Sequence, residues 1–289
     1  MAFLTLVQPA QEPVTAAQLV NFGRLSSNLA TADAALIASL ITAAREWCES
    51  YCERAFVFQT KRLEMDFFPG YVDFKLAGQR VSSPFVSGAN AVLVGIRYAI
   101  ALPWPQARQV VNFTYIDPNG NLQTMELGES YLADLDSQPA RITPNVTTGQ
   151  MWPVARVQPN AVTVDYLTGY WGSIPVSMTN GSAVLTSTFI FLPRDVGAAI
   201  SIPAAVAGSP ATALATTIAS VDVNGVATLA VAATASTGAQ TTSFGVMPMS
   251  VQLAIMLLAL QWYENRIPDT NDIPLGVKAL LYPYRDLRL

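Results

Sequence analysis

The sequence predicts an α+β protein with N-terminal helices, a central antiparallel β region, C-terminal helices and an inserted all-β domain. Three observations carry that prediction. Apolar residues near the start recur at three- and four-residue spacing, the mark of a helix with one buried face. The middle of the chain shifts towards a period of two, with turn residues between the runs. Finally, the 76 positions from Gly172 to Met247 hold only three charged residues, Arg194, Asp195 and Asp222, although their flanks have ordinary globular composition. That break divides the chain into a discontinuous body, residues 1–171 plus 248–289, and an inserted β domain, residues 172–247.

Taken in order, Thr15 and Gln18 have capping-box spacing, so a short helix is expected to run to about Phe22. From Asp33 onward, Leu36, Ile37, Leu40, Ile41, Ala44, Trp47, Cys48 and Tyr51 fall on one face of a long helix. Ser39, Thr42, Arg45, Glu46, Glu49 and Glu53 take much of the remainder. Strands are expected near residues 56–67, 92–98, 110–116, 122–127 and 161–167. Between two of them, Asp117-Pro-Asn-Gly120 is a hairpin signal, because Pro presets the first turn position and Gly accepts the left-handed one. In the insert, strands are expected near 183–186, 199–202, 213–223 and 226–231, with Asn180-Gly181 and Asn224-Gly225 as tight turns. A flexible low-complexity loop is the competing reading of its Ala- and Thr-rich composition. From Ser250 a helix apolar around most of its circumference is expected, buried on several sides, and a last short helix at residues 275–281.

Composition bounds the function. Hydrophobic residues make up 51% of the chain and charged residues 12%, about half the usual charged share, which implies that much of the surface is neutral or covered by other subunits. A formal charge of −4 and the lack of any Lys/Arg-rich run argue against tight or sequence-specific nucleic-acid binding, though DNA could pass nearby without being gripped. The strongest apolar run, residues 253–260, is far below the roughly 20 residues a bilayer requires, so no membrane span is expected. Residues 1–7 lack the charged start and long apolar core of a secretory leader, which places the protein in a cytoplasm. Cys48 and Cys52 are the only cysteines and would stay thiols there.

There is no histidine, which removes the usual general base, the common triads and most zinc chemistry together. Cys48 and Cys52, one helical turn apart, could hold half of a metal site or be two buried small hydrophobes. Glu49 and Glu53 read as a solvated helix face. Asp134 and Asp136, at alternate positions, could share a divalent cation on a strand face; turn capping and pairing with Arg141 are the competing explanation. No phosphate loop, dinucleotide fingerprint or serine elbow is present. The aromatics Trp47, Tyr51, Trp152, Trp171, Trp262, Tyr263, Tyr282 and Tyr284 are scattered without interleaved basic residues and read as core and interface anchors. No enzymatic activity and no cofactor are expected.

Several ordered blocks resemble the head-tail connector, or adaptor, proteins of tailed bacteriophages. Residues 33–69, DAALIASLITAAREWCESYCERAFVFQTKRLEMDFFP, look like that family's opening helix and first strand. Residues 113–142 resemble its central hairpin and the short Asp-containing strand that follows, and residues 152–170 its next strand with a Gly-aromatic turn. AIMLLALQWYENR and PLGVKALLYPYR resemble the two closing helices. The blocks cover most of residues 12–171 and 248–285. The chain departs from the pattern by an extra stretch at about residues 78–101 and by the insert, which loosely resembles small β modules of phage tail-spike and fibre proteins.

The resemblance implies a structural virion protein of the phage neck, made in the host cytoplasm. It implies a homo-oligomeric ring, commonly about twelve subunits, closed by two heterologous faces on each subunit. Such a ring docks under the portal protein, extends the DNA channel without binding DNA specifically, and receives a downstream tail or nozzle protein. By the same resemblance the segment from Trp262 to the end contacts the portal or a neighbouring subunit, with Trp262, Tyr263, Tyr282, Tyr284 and Arg285 as the interface residues. Packing of 282–285 on the subunit's own helices is the equal alternative. The insert is expected to project outward from the ring. A second function, as an attachment platform for tail fibres or spikes, would reside in it.

Overall fold

The computed structural model describes residues 2–69, 75–76, 79–80, 98–148, 151–265 and 273–285. They group into two compact units, Met1–Gln8 with Gln59–Thr168, and Pro9–Phe58 with Gly169–Leu289.

The first unit is built of strands β1 (Ala2–Val7), β2 (Gln59–Met65), β3 (Lys75–Leu76), β4 (Gln79–Arg80), β5 (Ile100–Leu102), β6 (Ala107–Ile116), β7 (Leu122–Thr124), β8 (Tyr131–Asp134), β9 (Ala140–Pro144) and β10 (Val162–Thr168). A five-stranded antiparallel sheet runs β1-β2-β10-β6-β7, a three-stranded sheet runs β5-β9-β8, and β3 and β4 form a two-residue ladder. Alternation is clean on β2, where Gln59, Lys61, Leu63 and Met65 are buried and the residues between them are half-exposed. Val164 of β10 lies between Leu63 and Phe113, so three strands deliver apolar side chains to one layer. Around it Phe68 stacks on Trp152 at 5.1 Å, and Phe113 meets Tyr131 edge-on at 5.1 Å. Full burial of each such side chain contributes about 1.5–3 kcal/mol. The buried polar tips are satisfied: Trp152 Nε1 donates to the Tyr98 carbonyl at 2.6 Å, and the Tyr166 hydroxyl donates to the Pro103 carbonyl.

The β6–β7 hairpin forms as its sequence requires. The Asp117 carboxylate accepts the backbone N–H groups of Asn119 and Asn121, each at 2.9 Å, and these bonds hold it below the usual carboxylate range. Two strand expectations differ from what forms. The run at 122–127 ends at Thr124, although Met125 still donates to the Phe113 carbonyl. The run at 56–67 splits, with Phe56, Val57 and Phe58 belonging to the second unit. Of the strand expected at 92–98, only Tyr98 is among the described residues.

The second unit contains α1 (Ala16–Gly23), α2 (Ser27–Ala32), α3 (Ala34–Cys52), β11 (Trp171–Val176), β12 (Ala199–Val206), β13 (Thr212–Val221), β14 (Ala227–Leu229), β15 (Gln240–Gly245), α4 (Met249–Glu264) and α5 (Leu275–Leu281). At the start of α1 the expected capping box is complete, with Gln18 N donating to Thr15 Oγ1 and Thr15 N to Gln18 Oε1. Ile37, Ile41, Ala44, Cys48 and Cys52 line the buried face of α3, which packs on α4; Leu36, on the flank of that face, stays exposed. Helix α4 buries Val251, Ala254, Ile255, Leu258 and Ala259, and every other residue from 250 to 263 is at least partly covered. This is the many-sided burial its composition demands.

Within the low-charge segment, β11 pairs with β15 from Trp171↔Gly245 to Val176↔Gln240, so the two ends of the segment lie side by side. A three-stranded sheet, β12-β13-β14, completes it. The run expected as a strand at 183–186 makes only isolated bridges, Ser177↔Thr186 and Val184↔Thr228, and that at 226–231 shortens to Ala227–Leu229. Phe189, Phe191 and Phe244 make edge contacts at 5.1–5.6 Å, and Phe58 joins Phe189 at 5.3 Å. The Asn224-Gly225 turn needs its glycine twice over, since φ is +77° and a Cβ would lie 2.3 Å from Ile190 Cγ2.

Candidate interaction surface

The closing segment is organised around the ring of Phe56. Tyr170 lies 6.1 Å from it and Tyr284 6.3 Å from it, edge-on, so residues distant in sequence flank one aromatic. Arg54 Nη1 donates to the Tyr170 hydroxyl at 2.8 Å. Ser250 Oγ, in the first turn of α4, donates to the Tyr284 hydroxyl at 3.0 Å. Next along the chain, the Arg285 guanidinium sits 5.1 Å from the centre of the Tyr51 ring, which itself stacks on Trp47 at 5.1 Å one turn back on α3. The 3₁₀ turn Tyr282–Tyr284 thus fixes Tyr284 and Arg285 on α3 and α4, while Tyr282 is left 62% exposed.

Trp262 is half-buried against the helical core. Tyr263 is tied down at its tip, where the hydroxyl donates to Asp33 Oδ2 at 2.8 Å. The five residues singled out from the sequence therefore divide. Tyr284, Trp262 and Tyr263 pack against the chain's own helical core, Arg285 lies over the Tyr51 ring while itself exposed, and Tyr282 faces outward. Sequence reasoning missed Arg54 and Tyr170, and described the aromatics as free of interleaved basic residues. In space Arg54 reaches Tyr170 and Arg285 lies over Tyr51. Only the Trp47/Tyr51 spacing of four signalled this in advance.

The helix end beneath this cluster overturns one expectation. Glu49 is buried, not solvated: Oε1 accepts the backbone N–H groups of Phe56 at 2.8 Å and Val57 at 3.3 Å, and Oε2 accepts Arg45 Nη1 at 2.7 Å. Arg45, also buried, donates through Nε to Glu12 Oε2 at 2.9 Å. The physical reason is the left-handed turn at Glu53, φ 52°, which folds the chain back over the polar side of α3 and makes it interior. Burial alone would lower the Arg45 pKa, but the fields of Glu49 and Glu12 outweigh it and raise it.

The remaining chemical candidates resolve into structure. Cys48 and Cys52 are buried; burial pushes both thiols up, Cys52 to about 12 despite the opposing charges of Arg54 and Arg285. Strand β8 ends at Asp134, so Asp136 does not share its face as an alternate strand residue. Asp134 accepts Arg141 Nε at 2.9 Å and the Ser137 N–H at 3.2 Å; burial pushes its pKa up, but these bonds and the Arg141 charge together outweigh that push and lower it. Among the described residues, no three Cys, Asp or Glu side chains gather as a metal site, and no helix is long and apolar enough to cross a membrane.

No family model matches the sequence, and no curated protein matches it. Solved structures do. A chain from the neck of an empty GTA particle computed with C6 symmetry is 16% identical with a TM-score of 0.54, covering 100% of this chain and 97% of that one. A chain from the virion of a native gene transfer agent particle is 17% identical with a TM-score of 0.54, over the same shares. Both are similar to this protein in fold from end to end, the low-charge segment included.

Proposed function

We propose that this protein is a structural component of a virion neck, a head-tail connector that joins other copies of itself in a ring, docks on a portal ring and receives the next tail component. The observation that carries the reading is the end-to-end likeness of fold to a neck chain, with almost nothing of either chain left over. The architecture supports it. Asp134 is paired with Arg141, Cys48 and Cys52 are buried thiols, and what the second unit presents outward beside its closing helices is aromatic and aliphatic: Tyr282, Leu275, Met249 and Val246, all more than 60% exposed. Tyr and Arg are the residue types that carry interface energy when desolvated. Tyr282 is then the portal-facing anchor, and Tyr284 with Arg285 holds the turn that presents it.

A second reading, a platform for fibres or spikes, draws on the low-charge segment. Val223, at the β13–β14 turn, is fully exposed, as an apolar tip awaiting a partner would be.

Sedimentation of the purified protein, alone and mixed with portal rings, tests the proposal. The expected result is co-sedimentation with the portal, weakened at least tenfold by the double change Tyr282→Ala/Arg285→Ala. A wild-type chain that stays apart from portal rings at micromolar concentrations contradicts it.

A further inference from the structure

The five-stranded sheet ends in two open edges of unusual character. Strand β1 lies at one edge, and among the described residues no strand pairs with its outer side. Its six residues, AFLTLV, contain no charge, proline or glycine. They are apolar on both faces: Phe3, opposite Leu63, is 46% exposed, and Leu4 and Val7, opposite Arg62 and Thr60, are 54% and 58% exposed, with Leu6 between them at 39%. Natural sheets protect such edges with lysines, prolines, bulges or a covering element, because a bare edge templates another strand. Among the described residues the one such device is a register shift between Thr5 and Val7, which leaves Ala2 to Thr5 in continuous register with β2. The cations on the neighbouring strand are both engaged: Lys61, opposite Thr5, is buried against Thr5 and over the Trp104 ring, and Arg62, opposite Leu4, is paired with Asp165.

The opposite edge matches it. Strand β7 also lacks an outer partner among the described residues, and exposes Leu122 at 70% with Leu127 nearby at 60%. Every pairing across the sheet is antiparallel, so β1, β10 and β7 run in one direction. When two copies are joined head to tail, β7 of one comes beside β1 of the next in parallel. Each copy then uses each edge once, and a closed ring leaves none bare.

We infer that the subunits join through this sheet, the β1 edge of one copy pairing with the β7 edge of the next. The occupant is thus a second copy of the same chain, and the inference rests on the self-assembly in the proposed function. The structure also provides a clean test, because its own thiols are buried and poorly ionised. Particles are assembled with the chain carrying Leu4→Cys and Thr124→Cys, which the registers put on the same face of the sheet, treated with a short bis-maleimide and separated under denaturing conditions. A second pair, Leu6→Cys with Leu122→Cys, covers the case in which the first disturbs folding.

A ladder of multimers from a double variant, with neither single variant giving more than a trace, is the expected result. Dimers from Leu4→Cys alone would mean two-fold pairing of β1 with itself and would overturn the inference. So would double variants that enter particles yet remain monomeric after the reagent has consumed their thiols, an outcome that leaves the neck assignment standing. A wild-type chain absent from particles removes both.

Discussion

The helical part of the second unit and the low-charge segment beside it solve the same problem with different chemistry. Around α3, buried charge fixes the fold: Arg45 bridges Glu12 and Glu49, and Glu49 holds the backbone of Phe56 and Val57. Between 172 and 247, neutral groups do most of this, with Asp195 and Asp222 as its turn-capping carboxylates. Ser187 donates to the Pro175 carbonyl, Thr242 to the Ser201 carbonyl, and Thr237 accepts the Met178 N–H. Four phenylalanines, one of them Phe58, supply the apolar contact. The lesson is one of stakes. A buried ion pair is costly to break because the orphaned charge remains inside, whereas a hydroxyl-to-backbone bond nets only about 0.5–1.5 kcal/mol.

The largest effect should therefore come from Glu49→Ala. It strands Arg45 with Glu12 as its chief partner and frees two buried N–H groups, and should cost about 3–5 kcal/mol in urea denaturation. A cost below about 1 kcal/mol would dissolve the contrast. Phe191→Ala should cost about 3–4 kcal/mol through the cavity it leaves, with the loss confined to protease protection of residues 172–247. Asp222→Ala removes a carboxylate that accepts the N–H groups of Asn224 and Val226, and should cost about 1 kcal/mol. Raising the pH above 9 should destabilise the helical part gradually. The Cys52 thiol, at about 12 when folded against a reference of 9.0, stays neutral in the fold after it ionises in the unfolded chain. Thermal melting should thus be flat from pH 7 to 8.5 and fall beyond it, and Cys52→Ala should blunt the fall. The smallest effect is expected from deleting residues 173–246. Strands β11 and β15 bring the cut ends together, so the helices should stay folded and portal affinity should change less than about threefold, provided Phe58→Gln replaces the apolar ring that the deletion would leave bare.

The elements were legible where periodicity or turn chemistry is local. The α1 capping box, the buried face of α3, the 117–120 hairpin and the all-round burial of α4 follow from spacing alone. Illegible were features set by distant partners. Strand β1 has no alternation because both faces are apolar, so nothing in residues 2–7 announces a strand. Glu49 looked solvated because its position on α3 says nothing of the chain folding back over it. Of the candidate surface, Tyr282 and Arg285 could be named, but not Arg54 and Tyr170, which reach Phe56 and Tyr284 only through tertiary contact.

The central claim is that this chain is a neck component, and imaging assembled particles tests it most directly. Averaging about the tail axis should place the fold of both units in a ring at the portal vertex, with the 172–247 segment at the ring's periphery. Particles that lack the chain, or carry it away from that vertex, would contradict the account.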